Sequence, residues 1–284
     1  MLIFRVLIPY MLLSFILGDA LHVKTLTAVC YGSIQTLATA TSTHLWFLPC
    51  YFLSVLLYNM VEIKFGSRKF IFPIIILLFA IISAILNYDK SFDFCIANYV
   101  IHFTGGTKPI GRDLYIGMPW GINVAFSGIV LIYAGTIFRR VYESYITSAK
   151  YLKVYILNFL AIIGGIAYHY NDGNNRLLAM SLAIYGNYLL FLITAITLSC
   201  TVLLLSTYID NPIFSKYGKY TFPIYAFHLS LVFIGNMIYN SLPRMISDNC
   251  ELKGVFVGTI TLFISCLFIP IVQKIDSNLI GEHK

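Results

Sequence analysis

Residues Leu177 to Leu205 read LLAMSLAIYGNYLLFLITAITLSCTVLLL, without one Asp, Glu, Lys or Arg. The hydrocarbon core of a bilayer is crossed by about 20 apolar residues in a helix. The stretch is long enough to span. Outward from it, comparable apolar runs cover Leu2 to Leu17, His44 to Met60, Phe70 to Leu86, Met118 to Phe138, Tyr151 to Tyr168, Tyr220 to Tyr239 and Val255 to Val272. Backbone N–H and C=O groups cannot stay unpaired in hydrocarbon, so runs of this kind must be helical. The polar/apolar alternation of a β-barrel is absent. The reading is an all-α, polytopic transmembrane helix bundle of about eight spans, in one domain over residues 1–284. Residues 22–41 are mildly apolar and Thr-rich, and fit an interfacial or re-entrant segment. Pro119 and Pro223 sit near helix starts, where proline is tolerated. Pro49 lies further in and is expected to kink its helix.

Composition agrees. Hydrophobic residues make up 59% of the chain and charged residues 11%, against about 25% charged in soluble domains. Mean hydropathy is +0.82. Only lipid can solvate that much apolar surface. The net charge of +7 comes from basic residues scattered over short loops. They form no patch, so no nucleic-acid partner is expected. The 6 cysteines show neither a CxxC nor a zinc spacing. Cys50, Cys200 and Cys266 lie in apolar runs and read as packing residues; a disulfide between two of the loop cysteines stays open. The first run, followed by Gly18-Asp19-Ala20, has the layout of a secretory signal peptide as well as that of a mature helix.

Loop charges set an orientation. With alternating spans and an inner N-terminus, the inner segments carry Arg5, Lys64, Arg68, Lys69, Arg139, Arg140, Lys150, Lys153, Lys216, Lys219, Lys274 and Lys284. The outer segments carry the smaller set Lys24, Lys90, Lys108, Arg112, Arg176, Arg244 and Lys253. The positive-inside rule then places both termini in the cytoplasm. The longest outer loop, Asn87 to Gly117, is long enough to carry function.

No acidic or basic residue lies in the middle of an apolar run. That weighs against an ion-coupled pump but leaves a flippase open. His228 is the ionisable side chain well inside a span. Thr221, Tyr225 and His228 follow i, i+4, i+7 spacing and share one helix face. A polar stripe should face the bundle interior, where burial keeps an imidazole neutral and able to act as a base. An interhelical hydrogen bond that only holds helices together fits equally well. His44 and Trp46 belong at the outer face, with Thr43 as the helix N-cap. Trp46 fits an interfacial anchor or a stacking surface for a sugar ring. Arg139 and Arg140 close the Met118 run at the inner face, as a helix anchor or as contacts for the phosphates of a nucleotide donor. His22, His102, His169 and His283 read as loop residues. No Gly-rich phosphate loop, HExxH or nucleophilic-serine motif is present.

Two stretches together resemble a known family. His44-Leu45-Trp46-Phe47-Leu48-Pro49 resembles the LWFLP segment of acyltransferase-3 membrane acyltransferases. Gly218-Lys219-Tyr220-Thr221-Phe222-Pro223-Ile224-Tyr225-Ala226-Phe227-His228 resembles that family's late helix ending in His. Ile8-Pro9-Tyr10, Pro119-Trp120 with Gly135 and Arg139-Arg140, and Tyr185-Gly186-Asn187 are similar to further family segments, in the same order. The nearest branch is the fucose-4-O-acetylase-like one. The resemblance implies about ten helices of membrane length. It also implies transfer of an acyl group, usually acetyl from acetyl-CoA, to a carbohydrate hydroxyl of a glycan or lipid-linked precursor. The setting implied is a bacterial plasma membrane, with membrane lipids as surroundings, acyl-CoA as donor substrate and no bound cofactor.

Family members usually begin with a helix bearing an Arg and a catalytic His, followed by a PLFFFISG-like helix. This chain matches from after both, which implies an N-terminally incomplete domain. No histidine maps onto the missing one. His228 is the remaining catalytic candidate; Thr221, Tyr225, His44 and Trp46 are candidates for binding substrate. Two alternatives stand beside the enzyme: a non-catalytic polytopic protein that binds or translocates lipid-linked sugars, and an inactive remnant.

Overall fold

The computed structural model describes residues 6–8, 10–11, 14, 29–32, 43–88, 118–146, 150–172, 180, 185–209, 212, 231–232, 234–241 and 250–275. The described residues are helical or in turns, with no β-strand among them. The chain divides into two compact units, Leu21–Asp210 and Met1–Ala20 with Asn211–Lys284.

Among its described residues the larger unit has these long α-helices: α1 (Phe47–Phe65), α2 (Ile71–Tyr88), α3 (Ile122–Val141), α4 (Lys150–Asp172) and α5 (Tyr188–Ser206). Among the described residues, four helical segments are long and apolar enough to cross a membrane: Phe47–Phe65, Pro119–Ile146, Tyr151–Asn171 and Tyr188–Ser206. Ile71–Leu86 and Leu252–Leu267 are shorter apolar stretches. Many large apolar side chains point outward, including Ile63, Phe70, Ile74, Leu77, Phe159 and Val202. In water such faces would associate; against lipid tails they are at no disadvantage.

Sequence and structure differ at two helix starts. The run Leu177–Leu205 is not one helix, because α5 begins at Tyr188. Gly186 takes a left-handed φ of 61°, and Asn187 caps the helix by accepting from Leu189 N at 3.1 Å and Leu190 N at 3.2 Å. Asn is among the strongest caps because its side chain satisfies amides that have no partner in the helix. At α1, Thr43 opens a 3₁₀ turn (Thr43–Trp46) instead of capping the α-helix, whose N-cap is Trp46 with no side-chain bond. Pro49 therefore falls in the first turn of α1, where its missing N–H costs nothing. The irregularity is the upstream 3₁₀ turn, not a kink at Pro49.

Helix α3 is the hub, packed against α1, α2 and α5, while α4 lies along α5. Small residues permit the close crossings. A Cβ on Gly128 would run into Ser54 Oγ of α1, and one on Gly164 would lie 2.6 Å from Leu198 Cδ2 and from Thr197 Oγ1 of α5. A second core layer joins Tyr58, Phe72, Ile76 and Ile129, with the Phe72 ring edge-on to Tyr58 and to Tyr133.

In the smaller unit, α6 (Cys250–Ile275) is the long helix. Gly235, in the helical residues 234–240, closes on Val257 and Thr261, and the Tyr239 and Phe256 rings meet at 5.4 Å.

Candidate functional site

Helix starts and ends alternate through the larger unit. Cys50 Sγ of α1 reaches Gly121 O at 3.7 Å, and Ser54 Oγ donates to Ala125 O of α3 at 3.2 Å. Ser83, late in α2, bonds to the start of α3. Asn171, late in α4, donates to Tyr185 O at 2.9 Å and accepts from Asn187 N at 2.7 Å. One end of the unit thus gathers the segments around Trp46, Trp120 and Tyr185-Gly186-Asn187, which lie far apart in sequence. Trp46 packs against a cluster of Cys50, Val124, Ala125 and Tyr185, joined by Met180, Tyr188 and Phe191.

The backbone at this end is strained at Trp120. Its φ of 54° and ψ of 18° are left-handed, and Gly121 follows at φ 61° and ψ 41°. For a non-glycine residue this costs roughly 1–2 kcal/mol. The surroundings hold it in place. Trp120 Nε1 donates to Cys30 O at 2.7 Å, and its ring meets Phe52 edge-on at 6.1 Å. Glycine at 121 takes this left-handed backbone without the strain that a Cβ would bring.

Beneath the cluster runs a chain of hydroxyls. Ser83 Oγ donates to Asn123 O at 3.1 Å. Ser83 and Ser127 hydroxyls lie 2.7 Å apart, and Ser127 Oγ lies 3.1 Å from the Tyr188 hydroxyl. Each hydroxyl has a single proton. Ser83 gives its proton to the carbonyl, so Ser127 must donate to Ser83, and Tyr188 must donate to Ser127. The chain runs one way, Tyr188 to Ser127 to Ser83 to the Asn123 carbonyl.

Two buried polar atoms beside the chain have no hydrogen-bond partner: Tyr185 Oη and Asn123 Oδ1. Tyr185 is 1% exposed and Asn123 3%. The Tyr185 hydroxyl sits beside Ser127 and Ser83, whose oxygens each keep a lone pair able to accept its proton. Burial pushes the pKa of its phenol up, so it remains a protonated donor. Asn123 lies one helical turn before Ser127 on the same face of α3. Asn123 Oδ1 is thus a buried acceptor without a donor beside this set of hydroxyls.

The opposite end is basic. The α1–α2 turn carries Lys64, Arg68 and Lys69, and α3 ends in Arg139 and Arg140. Arg139 Nε pairs with Glu143 Oε1 at 2.8 Å, both side chains largely exposed. Arg140 is exposed. Lys153 Nζ reaches the Tyr142 hydroxyl at 3.4 Å, next to the π-turn Tyr142–Ile146.

Of the residues singled out from sequence, the structure places Trp46 in the first group and Arg139 and Arg140 in the second. His44 lies in the 3₁₀ turn with Trp46; its side chain is outside the described residues, as are Thr221, Tyr225 and His228. Most of the loop Asn87–Gly117 is outside them too. His169 is not a loop residue; it lies in the last turns of α4 with its ring edge-on to Tyr170. Cys50, Cys200 and Cys266 are free thiols in helices, as expected of packing residues, and Cys30 is free and exposed. No group of His, Cys, Asp and Glu among the described residues could hold a metal ion.

Sequence reading passed over Ser83, Asn123, Ser127 and Tyr188. Serines in apolar helices are ordinary packing residues, so each alone carries no signal. The available clue was Asn123 with Ser127 at i, i+4 just inside the Pro119-Trp120 start, next to Gly128, which closes on Ser54 of α1.

The acyltransferase-3 family model, described as an acyltransferase domain, matches residues 3–272. No curated protein and no solved structure matches the chain. The match covers nearly the whole sequence, and the helices it covers include four of membrane-crossing length. The chain belongs to the acyltransferase-3 family of membrane acyltransferases.

Proposed function

We propose that this protein is an O-acyltransferase that moves an acyl group, in the first instance acetyl, from acyl-CoA to a sugar hydroxyl of a cell-surface or exported glycan. The observation that carries the reading is the family match over residues 3–272. The separation of a buried, hydroxyl-rich end from a basic end in one helix unit supports it. The basic end suits the phosphates of an acyl-CoA, with Arg140 and, after release from Glu143, Arg139 as contacts. The opposite end, with His44 and Trp46, suits the carbohydrate. In this reading the basic end faces the cytoplasm of a bacterial inner membrane with both termini on that side, an orientation that the loop charges favour.

In this reading a neutral histidine takes the proton from the sugar hydroxyl as the hydroxyl oxygen attacks the thioester carbonyl. Hydrogen-bond donors stabilise the oxyanion, and CoA leaves as the thiol. His228 is the base, with Thr221 and Tyr225 on its helix face lining the path. The test is transfer of radiolabel from [acetyl-¹⁴C]-CoA into glycolipid or glycan, in membranes that carry the full chain. His228→Ala should abolish transfer while the protein still elutes as a folded species. Near-normal turnover by folded His228→Ala would remove His228 from that role. No transfer above empty membranes would overturn the enzymatic reading.

A further inference from the structure

We infer that the α1–α2 turn is a binding surface for anionic phospholipid, with a headgroup phosphate held between Lys64 and Arg68 and the side chains of Ile63 and Phe70 set among the acyl chains. The inference concerns a partner of the fold and does not depend on the enzymatic reading.

The turn joins Phe65, the last residue of α1, to Ile71, the first of α2. Lys64, Arg68 and Lys69 are all exposed, and none of them forms an ion pair with a described residue. Glu62, the nearest acid in sequence, pairs with none of the three. Two of the cations nonetheless converge. Lys64 Nζ lies 5.5 Å from the centre of the Phe65 ring, and the Arg68 guanidinium carbon lies 6.0 Å from it. Phe65 is itself fixed, because it packs against the cluster of Tyr58, Phe72, Ile76 and Ile129. A cation over a ring is weakly held at an exposed site, and two like charges drawn to one ring repel. A phosphate between them removes the repulsion and accepts charge-assisted hydrogen bonds from both. The neighbours identify what carries that phosphate. Among the described residues, the most exposed large apolar side chains are Ile63 at 87% and Phe70 at 83%. They bracket this same turn, at the end of a span and beside the cations. Side chains so bare are covered when the turn sits at the boundary of acyl chains and headgroups. At that depth the anion within reach of a Lys or Arg head is a lipid phosphate. A soluble phosphate would engage the cations but leave Ile63 and Phe70 in water. The positive-inside rule asks for charge in such a loop; it asks neither for the shared ring nor for the two bare apolar neighbours.

The test is lipid retention by the purified full chain. Detergent micelles would be titrated with phosphatidylglycerol, or with phosphatidylcholine of the same acyl chains, and bound lipid counted by native mass spectrometry. A basic side chain near anionic lipid contributes about fivefold, so two give the wild-type protein a preference of roughly twentyfold for phosphatidylglycerol. Lys64→Gln with Arg68→Gln should bring the two lipids to near parity, with the melting temperature unchanged because both side chains are exposed. Lys64→Arg with Arg68→Lys keeps the charges and should keep the preference. Ile63→Ser with Phe70→Ser should weaken retention of both lipids and leave their ratio. Equal retention of the two lipids by the wild-type chain overturns the inference. A loss of preference in Arg139→Gln with Arg140→Gln as large as in the turn variant also overturns it, because the whole basic end would then act as diffuse charge. So does displacement of bound phosphatidylglycerol by adenosine 3′,5′-bisphosphate, which would make the turn a site for a soluble phosphate.

Discussion

The two ends of the larger unit solve the same problem in different ways. At the end with Trp46 and Tyr185, polar groups are neutral, buried and committed to one another in a fixed order. At the end with Arg68 and Arg139, polar groups are charged and exposed, and the Arg139–Glu143 pair spans a single helical turn. Buried groups in lipid must find protein partners, so their geometry is specified. Exposed charges keep their water, and a surface pair adds little. The comparison teaches that the neutral end is where a change of one atom should be felt, and the basic end is where whole charges can be altered cheaply.

The comparison breaks most directly if a charge is forced into the neutral end. Ser127→Asp would place a carboxylate among Ser83, Tyr188 and Tyr185 with no cation near in the described residues. Loss of the order of 3–5 kcal/mol is expected for an uncompensated buried charge, and the protein should elute as aggregate in detergent. A monodisperse Ser127→Asp species with a wild-type melting curve would mean that this end is open to water. A smaller effect tests the boundary of the same end. Asn187→Ala removes the cap of α5 and the acceptor of two amides, and should lower stability by about 1 kcal/mol, read as a shift in thermal unfolding; no shift would show that Asn171 alone orders the turn. The smallest effect belongs to the basic end. Glu143→Gln should leave the melting temperature where it was and free Arg139 for phosphate, so the KM for acyl-CoA should hold steady or fall. A rise in that KM would show that the pair itself, not the free guanidinium, receives the donor.

Much of the fold was legible in the sequence, because lipid imposes a length and an apolar composition on every span. The run Tyr151–Tyr168 falls inside α4, and Phe70–Leu86 falls inside α2 but for its first residue. The run before Tyr188 was misread, because hydropathy cannot tell a helix from the apolar approach to it; the Gly186-Asn187 pair that ends the approach acts through φ and through one side-chain oxygen. Pro49 was misjudged for a related reason. The cost of a proline depends on its distance from the helix start, and a 3₁₀ turn moved that start to Phe47. The candidate site was half legible. Trp46 and the Tyr185 segment stood out as motifs. Ser83, Asn123 and Ser127 did not, since what distinguishes them is a hydrogen-bond order between helices that no local pattern encodes.

The pairing of helices also has a bearing on manufacture. Two helices of the larger unit pack on partners made shortly before them: α3 on α1 and α2, α5 on α4 and α3. One close crossing, Gly164 against Leu198, joins neighbours in the chain, where loop closure is cheapest. A ribosome threading this protein into a membrane delivers α3 and α5 to partners already in place, while α4 waits only for the next helix to arrive.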